Sequence, residues 1–401
     1  MSVYEQLGVR TIINAKGPAT RLSGGMMRPE VVQAMVEASQ SCVDMAELQA
    51  AASREIAVAT GAEAGYVASG AAACLLLATA ACVAGLDPGK MTRLPDTTGM
   101  KNEVIMVRSQ RNFYDHAVRA AGVRIVEVGL PDRYAGAGVR DAEAWEIEDA
   151  INDNTAAVFY VVDAYAQPPL VEVVRVAHAR GVPVIVDAAA QLPPQENLKR
   201  FISEGADLVA FSGGKALGGP QASGFLCGKR DLIMSAALQH LDLDMFSDSW
   251  EPPRGLIDKS RLRGMPQHGI GRTCKVGKEE IIGLLTALRL FIEEGDAARH
   301  KKWLAIILRI ASDLAHLGDL ECRVLGQDDI ALVPALKITF GGENGVAHKI
   351  IRALLSGAPS IHVNSSPHEM NSIILSPQCL KKEEAPVIAA ALATFFSNST
   401  K

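Results

Sequence analysis

The chain has 401 residues, of which 48% are hydrophobic and 21% charged, a composition typical of soluble globular proteins. That length predicts about two or three domains with a sizeable core. The net charge of −5, from 40 basic and 45 acidic side chains, argues against nucleic acid as a partner, because basic surfaces bind nucleic acids.

The first strongly apolar stretch, residues 71–86, is 16 residues long and rich in alanine. It falls short of the ~20 residues needed to span a bilayer, so we predict a buried helix and no membrane partner. The N-terminus lacks the apolar run of a signal peptide. The seven cysteines contain no CxxC pair, which indicates reduced thiols in a cytoplasmic protein without a metal site.

The middle of the chain alternates between strand-like and helix-like segments. Residues 156–165 and 182–190 are apolar runs that do not alternate with polar residues, as in strands buried on both faces. Residues 168–181 between them have apolar positions at helical spacing. Further strands are predicted at residues 103–107, 123–129 and 207–211. This order predicts an α/β domain with a mostly parallel sheet.

The pattern of predicted strands and helices changes after residue 275. Residues 278–318 predict a long helical region of one or two helices, and shorter strands and helices follow it. We therefore predict three parts: an N-terminal segment (1–45), a large domain (46–275), and linker helices with a small C-terminal α+β domain (276–401). Residues 242–271, rich in Pro, Gly and charge, are predicted to be a loop near the active site or at a subunit contact.

The stretch FSGGKALGGP places one lysine, Lys215, among four glycines directly after a predicted core strand. Glycines permit close backbone approach, and a lysine whose pKa is lowered can form a Schiff base. A solvated lysine in a surface turn is the plain alternative for this motif alone.

Two other sequence elements favour a catalytic role for Lys215 over a surface turn. Asp187 ends the predicted strand VPVIV (182–186), where a buried carboxylate needs a cationic partner such as a pyridinium nitrogen. The sequence SGAAA, which begins with Ser69, opens the long apolar helix, and free N–H groups at a helix start bind anions. Ser212 could add a second hydroxyl. Together these elements predict that Lys215 holds an aldehyde cofactor.

The chain resembles the fold type I pyridoxal 5′-phosphate (PLP) enzymes, and within them the selenocysteine synthase-like branch that includes D-glucosaminate-6-phosphate ammonia-lyase. The resemblance rests on stretches spread over about the first 280 residues, among them IINAKGPATRLSGGMM, VRSQRNFYDHAVRAAG, VDAAAQLPP, FSGGKALGGPQASGFLCG and GIGRTCKVGKEE. It implies a PLP-binding large domain with a mostly parallel sheet and a small C-terminal α+β domain.

The resemblance also implies roles for individual residues. Lys215 would hold the cofactor, Asp187 would face the pyridine nitrogen, and four residues would cradle the phosphate: Ser69, Gly70, Ala71 and Ser212. Gln191 would reach the ring hydroxyl, although related aminotransferases place a glutamine where this chain has Ala190. His116 either stacks on the ring or is an ordinary helix histidine.

Related aminotransferases bind the substrate carboxylate with an arginine before a Ser-Pro turn, and the matching stretch here, NSIILSPQCL, has none. A carboxylate still needs a cation, and the planar fork of arginine suits it. Arg272, with Lys275 nearby, is the first candidate and Arg21 is the second. For any single arginine, a surface ion pair is the alternative.

The reaction that we predict is removal of water and then ammonia from a small hydroxylated amino acid, yielding a 2-oxo acid. A sugar-derived, phosphorylated amino acid is the substrate that the resemblance implies. A racemase or an aminotransferase uses the same proton abstraction, and a non-catalytic PLP-binding homologue is an alternative of another class. Fold type I relatives complete their sites with residues from a neighbouring subunit, so a homo-oligomer, a dimer or larger, is expected. Selenocysteine synthase itself is disfavoured, because it must hold tRNA and this chain is acidic.

Overall fold

The computed structural model describes residues 2–130, 141–318, 320–341, 345–366 and 369–399, with side chains up to residue 395. The chain forms two compact units. The large unit comprises residues 27–192 and 196–290, and the small unit comprises residues 1–26, 193–195 and 291–401. The three-part division predicted from the sequence stays a prediction.

The strands within the described residues are β1 (Ile12–Asn14), β2 (Ala64–Ala68), β3 (Glu103–Val107), β4 (Arg124–Val128), β5 (Thr155–Val161), β6 (Val184–Asp187), β7 (Leu208–Ser212), β8 (Gly224–Gly228), β9 (Leu320–Leu325), β10 (Ala335–Phe340), β11 (Ser360–His362), β12 (Asn364–Ser365) and β13 (Ser372–Leu375). The α-helices are α1 (Val3–Gln6), α2 (Pro29–Ser39), α3 (Met45–Thr60), α4 (Ala71–Ala84), α5 (Pro88–Arg93), α6 (Asp115–Arg119), α7 (Ala144–Ala150), α8 (Leu170–Ala179), α9 (Asn197–Ser203), α10 (Arg230–His240), α11 (Lys278–Leu314), α12 (Val346–Ser356) and α13 (Ala385–Ser399).

The large unit is built on a seven-stranded sheet in the order β2-β8-β7-β6-β5-β3-β4. The five strands from β7 to β4 in that order pair in parallel, which confirms the predicted mostly parallel sheet. Only β8 runs against them, and it pairs antiparallel with both β7 and β2. The carboxyl ends of six strands therefore meet at one edge of the sheet, where ligands bind in open α/β folds.

The predicted central strands are present but shorter than the apolar runs. The run at 156–165 becomes β5, which ends at Val161, and the run at 182–190 becomes β6, which ends at Asp187. In both cases the apolar residues continue past the last strand residue into the loops at the carboxyl edge. The strand at 103–107 has the predicted bounds.

The long apolar stretch forms helix α4, which is buried along its length, as predicted. It packs across the middle of the sheet, against β5, β6, β7 and β8. At the sheet margin, Gln49 of α3 satisfies the outer edge of β2. Its side chain donates to Val67 O (2.8 Å) and accepts from Val67 N (3.1 Å). Side chains of α3 thus replace a neighbouring strand.

The small unit holds a four-stranded antiparallel sheet in the order β12-β13-β10-β9 and a parallel pair, β1 with β11. This arrangement agrees with the predicted α+β character. The pairing of Ile13 with Ile361 brings the N-terminal segment beside the C-terminal part of the chain. Helix α11 is broken at Gly295, whose φ of 70° favours glycine.

The loop of residues 242–271 is anchored more firmly than its composition indicates. Trp250, Leu256 and Ile257 are no more than 5% exposed and belong to the main core of the large unit. Of the helices that the structure describes, none is both long and apolar enough to cross a membrane.

Candidate active site

Lys215 lies three residues beyond β7, at the carboxyl edge of the sheet. It begins a turn in which Gly218 N donates to Lys215 O (3.0 Å). Its ammonium has no hydrogen-bond or ion-pair partner in the described part of the chain. Burial lowers the pKa of Lys215, and the charge of Asp187 offsets part of that effect. A lysine held in this way is more readily neutral, and therefore nucleophilic, than a solvated one.

The glycines before Lys215 let this loop fold back on itself. A Cβ on Gly213 would lie 2.6 Å from Leu284 Cδ1, and one on Gly214 would lie 2.6 Å from the Cα of Gln221. The contact with the Gln221 backbone leaves no room for a side chain at position 214, and a side chain at position 213 would require Leu284 to move. The glycine-rich motif is thus explained by close packing of the backbone around the lysine.

Asp187 is the last residue of β6 and only 8% exposed. Its Oδ1 accepts a hydrogen bond from Ala189 N (3.0 Å). Burial raises the pKa of Asp187, while this hydrogen bond and Lys215 lower it. The charge of Asp187 also contributes to the raised pKa of the Cys74 thiol, which is due mainly to burial. Asp187 therefore lies near both Lys215 and the first turn of α4.

Strand register brings the two serines of the predicted phosphate site to the same place. Ala68, which precedes Ser69, pairs with Gly224, and Gly224 also pairs with Ser212. A Cβ on Gly224 would lie 2.6 Å from Gly70 C and 2.7 Å from Ala71 N. Glycine at position 224 thus allows the start of α4 to lie directly against β8.

The start of α4 offers free donors. The first helical hydrogen bond runs from Cys74 N to Gly70 O (3.0 Å), which leaves the N–H groups of the first turn without helical partners. Gly70 has a φ of 137°, and a Cβ there would meet no atom within 4 Å. Open space, free N–H groups and the helix dipole are together suited to binding an anion.

Gln191 and His116 also lie beyond strands that end at this edge. The Gln191 amide donates to Val162 O (2.7 Å), so it braces the end of β5. His116 is exposed on α6, and its Nδ1 accepts from Arg119 Nη2 (3.0 Å). These contacts do not test the predicted roles of Gln191 and His116 at a cofactor ring.

Arg272 lies in the 3₁₀ turn Ile270–Cys274 of the large unit. Its Nη1 donates to His240 O (2.9 Å) and its Nη2 to Asp242 Oδ2 (3.1 Å). It lines a cavity of about 320 Å³ together with Lys275, Lys278 and Gln49. A guanidinium has five N–H donors, so three remain for an acidic ligand.

Arg21 belongs to the small unit and is exposed on the 3₁₀ turn Thr20–Leu22. Across the described ranges, its guanidinium has no hydrogen-bond or acidic partner. Burial lowers the pKa of His362 in the same unit, and the positive charges of Arg21, Arg10 and Lys16 lower it further. Arg21 thus belongs to a cluster of cations within that unit.

Two features of the site were not predicted from the sequence. Gly224 is as tightly constrained as the glycines beside Lys215, and its signal was the SGFLCG strand that directly follows the lysine loop. The contact of His240 with the arginine turn has no local sequence signal, because the two are 32 residues apart.

A family model described as "SelA: L-seryl-tRNA selenium transferase" matches residues 31–245. The chain belongs to this family. It is 30% identical over 392 residues to a 5′-C-glycyluridine monooxygenase-decarboxylase from a Streptomyces species, covering 95% of this chain and 88% of the relative. It is 34% identical over 295 residues to the D-glucosaminate-6-phosphate ammonia lyase of Salmonella typhimurium, covering 72% of this chain and 69% of the relative.

Among solved structures, a D-glucosaminate-6-phosphate ammonia-lyase superposes with a TM-score of 0.80 at 27% identity, and all of both chains is covered. The chain is thus a PLP-dependent enzyme of fold type I, as the sequence predicted.

The residues present fit PLP. The start of α4 offers free N–H groups and space for a phosphate, and the lysine amine is free for an aldehyde. Asp187 is a buried carboxylate that accepts one hydrogen bond among the residues described, so it can face a protonated ring nitrogen.

Proposed function

We propose that this chain uses PLP held by Lys215 to remove water and ammonia from a small hydroxylated amino acid, with a phosphorylated sugar acid as the substrate class. One observation carries the proposal: an unpaired, partly buried lysine interacts electrostatically with a buried aspartate beside an open helix start. The 34% identity to D-glucosaminate-6-phosphate ammonia lyase supports the reaction type.

The proposed mechanism gives Lys215 and Asp187 separate roles. Lys215 would hold the cofactor, and its amine, once free and neutral, would take the proton from the substrate Cα. When bound, the cofactor accepts the electron pair left at Cα, and it does so best with its ring nitrogen protonated. Asp187 supplies the charge that keeps that proton in place. Burial of both groups excludes water and strengthens their interaction.

The proposed reaction needs no reactant other than the substrate and water. The Cα–H and Cβ–OH bonds break, and a proton and the hydroxyl leave as water. The resulting enamine is protonated at Cβ, and one water molecule then releases ammonia and leaves a 2-oxo acid. The Lys215 ammonium, protonated in the first step, would donate that proton to the departing hydroxyl.

The other predicted contacts complete this proposal. Ser69, Gly70, Ala71 and Ser212 would bind the cofactor phosphate, because strand register brings Ser212 close to the start of α4, where the other three residues lie. Gln191 would lie near the ring hydroxyl, and His116 would stack on the ring. Arg272, or Arg21 in the small unit, would bind the carboxylate or phosphate of the substrate.

A second candidate reaction is oxidative decarboxylation of an amino acid. It is favoured by one observation, the 30% identity to a monooxygenase-decarboxylase over 95% of this chain. Racemase and aminotransferase activities are further alternatives, since they begin with the same proton abstraction.

We further propose that the enzyme is a cytoplasmic homo-oligomer that binds neither nucleic acid nor membranes. The net charge of −5 supports the absence of a nucleic-acid partner. Large apolar side chains such as Phe113 and Phe246, 91% and 86% exposed, support contact with a second copy.

The test is a substrate panel on the purified holoenzyme. Hydroxylated amino acids and phosphorylated aminosugar acids are supplied, and ammonia, 2-oxo acid, carbon dioxide, oxygen uptake and chirality are measured. Equal release of ammonia and 2-oxo acid without oxygen uptake supports the lyase. Carbon dioxide release coupled to oxygen uptake supports the second candidate, and neither outcome with any compound contradicts both.

A further inference from the structure

A buried tyrosine–histidine pair lies behind the turn that carries Arg272. Tyr66 of β2 is fully buried, and His240 at the end of α10 is 4% exposed. The Tyr66 hydroxyl lies 2.9 Å from His240 Nδ1, and His240 Nε2 lies 2.8 Å from Cys274 O. The two rings meet edge to face, with centroids 5.3 Å apart. These contacts link a core strand, a helix end and the arginine turn.

The hydrogen-bond partners determine the tautomer of His240. A carbonyl oxygen can only accept, so Nε2 carries the proton that it donates to Cys274 O. Nδ1 is then the acceptor of the Tyr66 hydroxyl. Burial lowers the pKa of His240, the hydrogen bond to Cys274 O offsets part of this effect, and the charge of Arg272 lowers the pKa further, so the neutral ring is favoured. The chain of donors therefore runs in one direction, from Tyr66 through His240 to the turn.

The same turn is held at two other points. A Cβ on Gly269 would lie 2.6 Å from Gln239 Cα, and one on Gly271 would lie 2.6 Å from Leu77 Cδ2. The turn therefore lies directly against the end of α10 and against α4. Arg272 in turn donates to His240 O, so the residue that anchors the turn also orients its guanidinium.

We propose that Tyr66 and His240 are positioning residues, which hold the turn Ile270–Cys274 so that Arg272 directs its remaining donors at an acidic group of the substrate. This inference rests on the proposed role of Arg272 and extends it to two buried residues that act through its turn; His240 also lines the cavity that Arg272 lines. Arginine binds carboxylate or phosphate best when its planar fork is fixed in advance.

The experiment replaces Tyr66 by Phe in the holoenzyme. This change removes one hydroxyl and keeps the ring. The matched control is Tyr160→Phe, the same change on β5 at a residue 5% exposed. The probe is inorganic phosphate, whose Kd is measured by calorimetry with the cofactor already bound. Hydrogen exchange of the peptide spanning residues 268–276 reports the order of the turn.

Tyr66→Phe should raise the Kd for phosphate by about 3- to 10-fold, the effect of one neutral hydrogen bond. It should also speed exchange in residues 268–276 and leave the cofactor absorbance unchanged, whereas Tyr160→Phe should change none of these. In a background of Arg272→Ala, Tyr66→Phe should have no further effect on Kd, because both act through the same guanidinium. His240→Gln, which can still accept and donate, should retain more affinity than His240→Phe.

Failure of the positioning role and failure of the proposed role of Arg272 give different results. Unchanged exchange and unchanged Kd in Tyr66→Phe, with a weakened Arg272→Ala, would overturn the positioning role alone. Faster exchange in Tyr66→Phe with no effect of Arg272→Ala on phosphate binding would instead overturn the proposed role of Arg272, on which the inference rests. A Kd effect of equal size in the Arg272→Ala background would also overturn the inference.

Discussion

Asp187 and Lys215 are shifted in opposite directions for the same reason. Burial disfavours the charged form of each, so the pKa of the carboxyl is raised and that of the amine is lowered. Their mutual attraction offsets only part of this cost. Without a ligand the pair is therefore a source of instability, and a protonated ring nitrogen would relieve it.

Replacing Asp187 by Asn should separate stability from activity. The folded pKa of Asp187 is raised, so its contribution to stability is present below the unfolded pKa and is lost as the pH rises through the folded value. The apoprotein of Asp187→Asn should thus melt at a higher temperature than wild type at pH 7, and the gain should shrink toward pH ~4.

The same variant should lose nearly all turnover in the holoenzyme, because an amide does not keep the ring nitrogen protonated. Calorimetry of the apoprotein and steady-state kinetics check the two halves. Activity close to wild type would show that Asp187 has only a structural role.

Arg272→Ala should lower kcat/KM for an acidic substrate by roughly 10- to 150-fold, since a hydrogen bond to a charged group contributes about 1.5–3 kcal/mol. Arg272→Lys should restore part of the activity, because the charge returns without the fork. Arg175→Ala, an exposed arginine on α8, is the control. If Arg272→Ala bleaches the cofactor instead, the arginine binds the cofactor phosphate.

At the scale of elements, the start of α4 depends on glycine in β8. Gly224→Ala would place a methyl group 2.6 Å from Gly70 C, so the first turn of α4 must move. The Kd for PLP should rise at least tenfold, while Gly255→Ala, where a Cβ meets no atom within 4 Å, should leave it unchanged. Fluorescence titration of the apoproteins measures both. Equal affinities would contradict the phosphate cradle.

Some of these elements could be predicted from the sequence and others could not, for physical reasons. Strands buried on both faces are continuous apolar runs, so β5, β6 and β7 were predicted, and the residues that end them indicated the site. Strand direction has no such local signal, so the reversed β8 was not foreseen. Pairing of β1 with β11 joins segments almost 350 residues apart, and no periodicity encodes it.

The residues of the site were likewise only partly predictable from the sequence. Lys215 and Asp187 were predicted, because a lone amine among glycines after a core strand and a carboxylate at the end of a buried strand both indicate a ligand. The environment of Arg272 was not predicted. It depends on Tyr66, His240 and Asp242, which only the tertiary structure brings to one turn.

At the scale of the whole molecule, the exposed apolar side chains predict self-association. Phe113, Tyr165 and Phe246 are each more than three-quarters exposed, at 91%, 78% and 86%. Analytical ultracentrifugation should show a dimer or a larger homo-oligomer, and Phe246→Ser should weaken its association without changing the melting of the fold. A fully active monomer would contradict the proposed assembly.

The central claim is that Lys215 holds the cofactor, and reduction followed by peptide mapping tests it most directly. The yellow holoenzyme is treated with borohydride, digested and analysed by mass spectrometry, with Lys215→Ala as the control and the exposed Lys275 as an internal comparison. We predict that the cofactor mass is fixed on the peptide containing Lys215 and that Lys215→Ala yields no labelled peptide. Labelling of another lysine in the wild-type protein, or of none, would contradict the account.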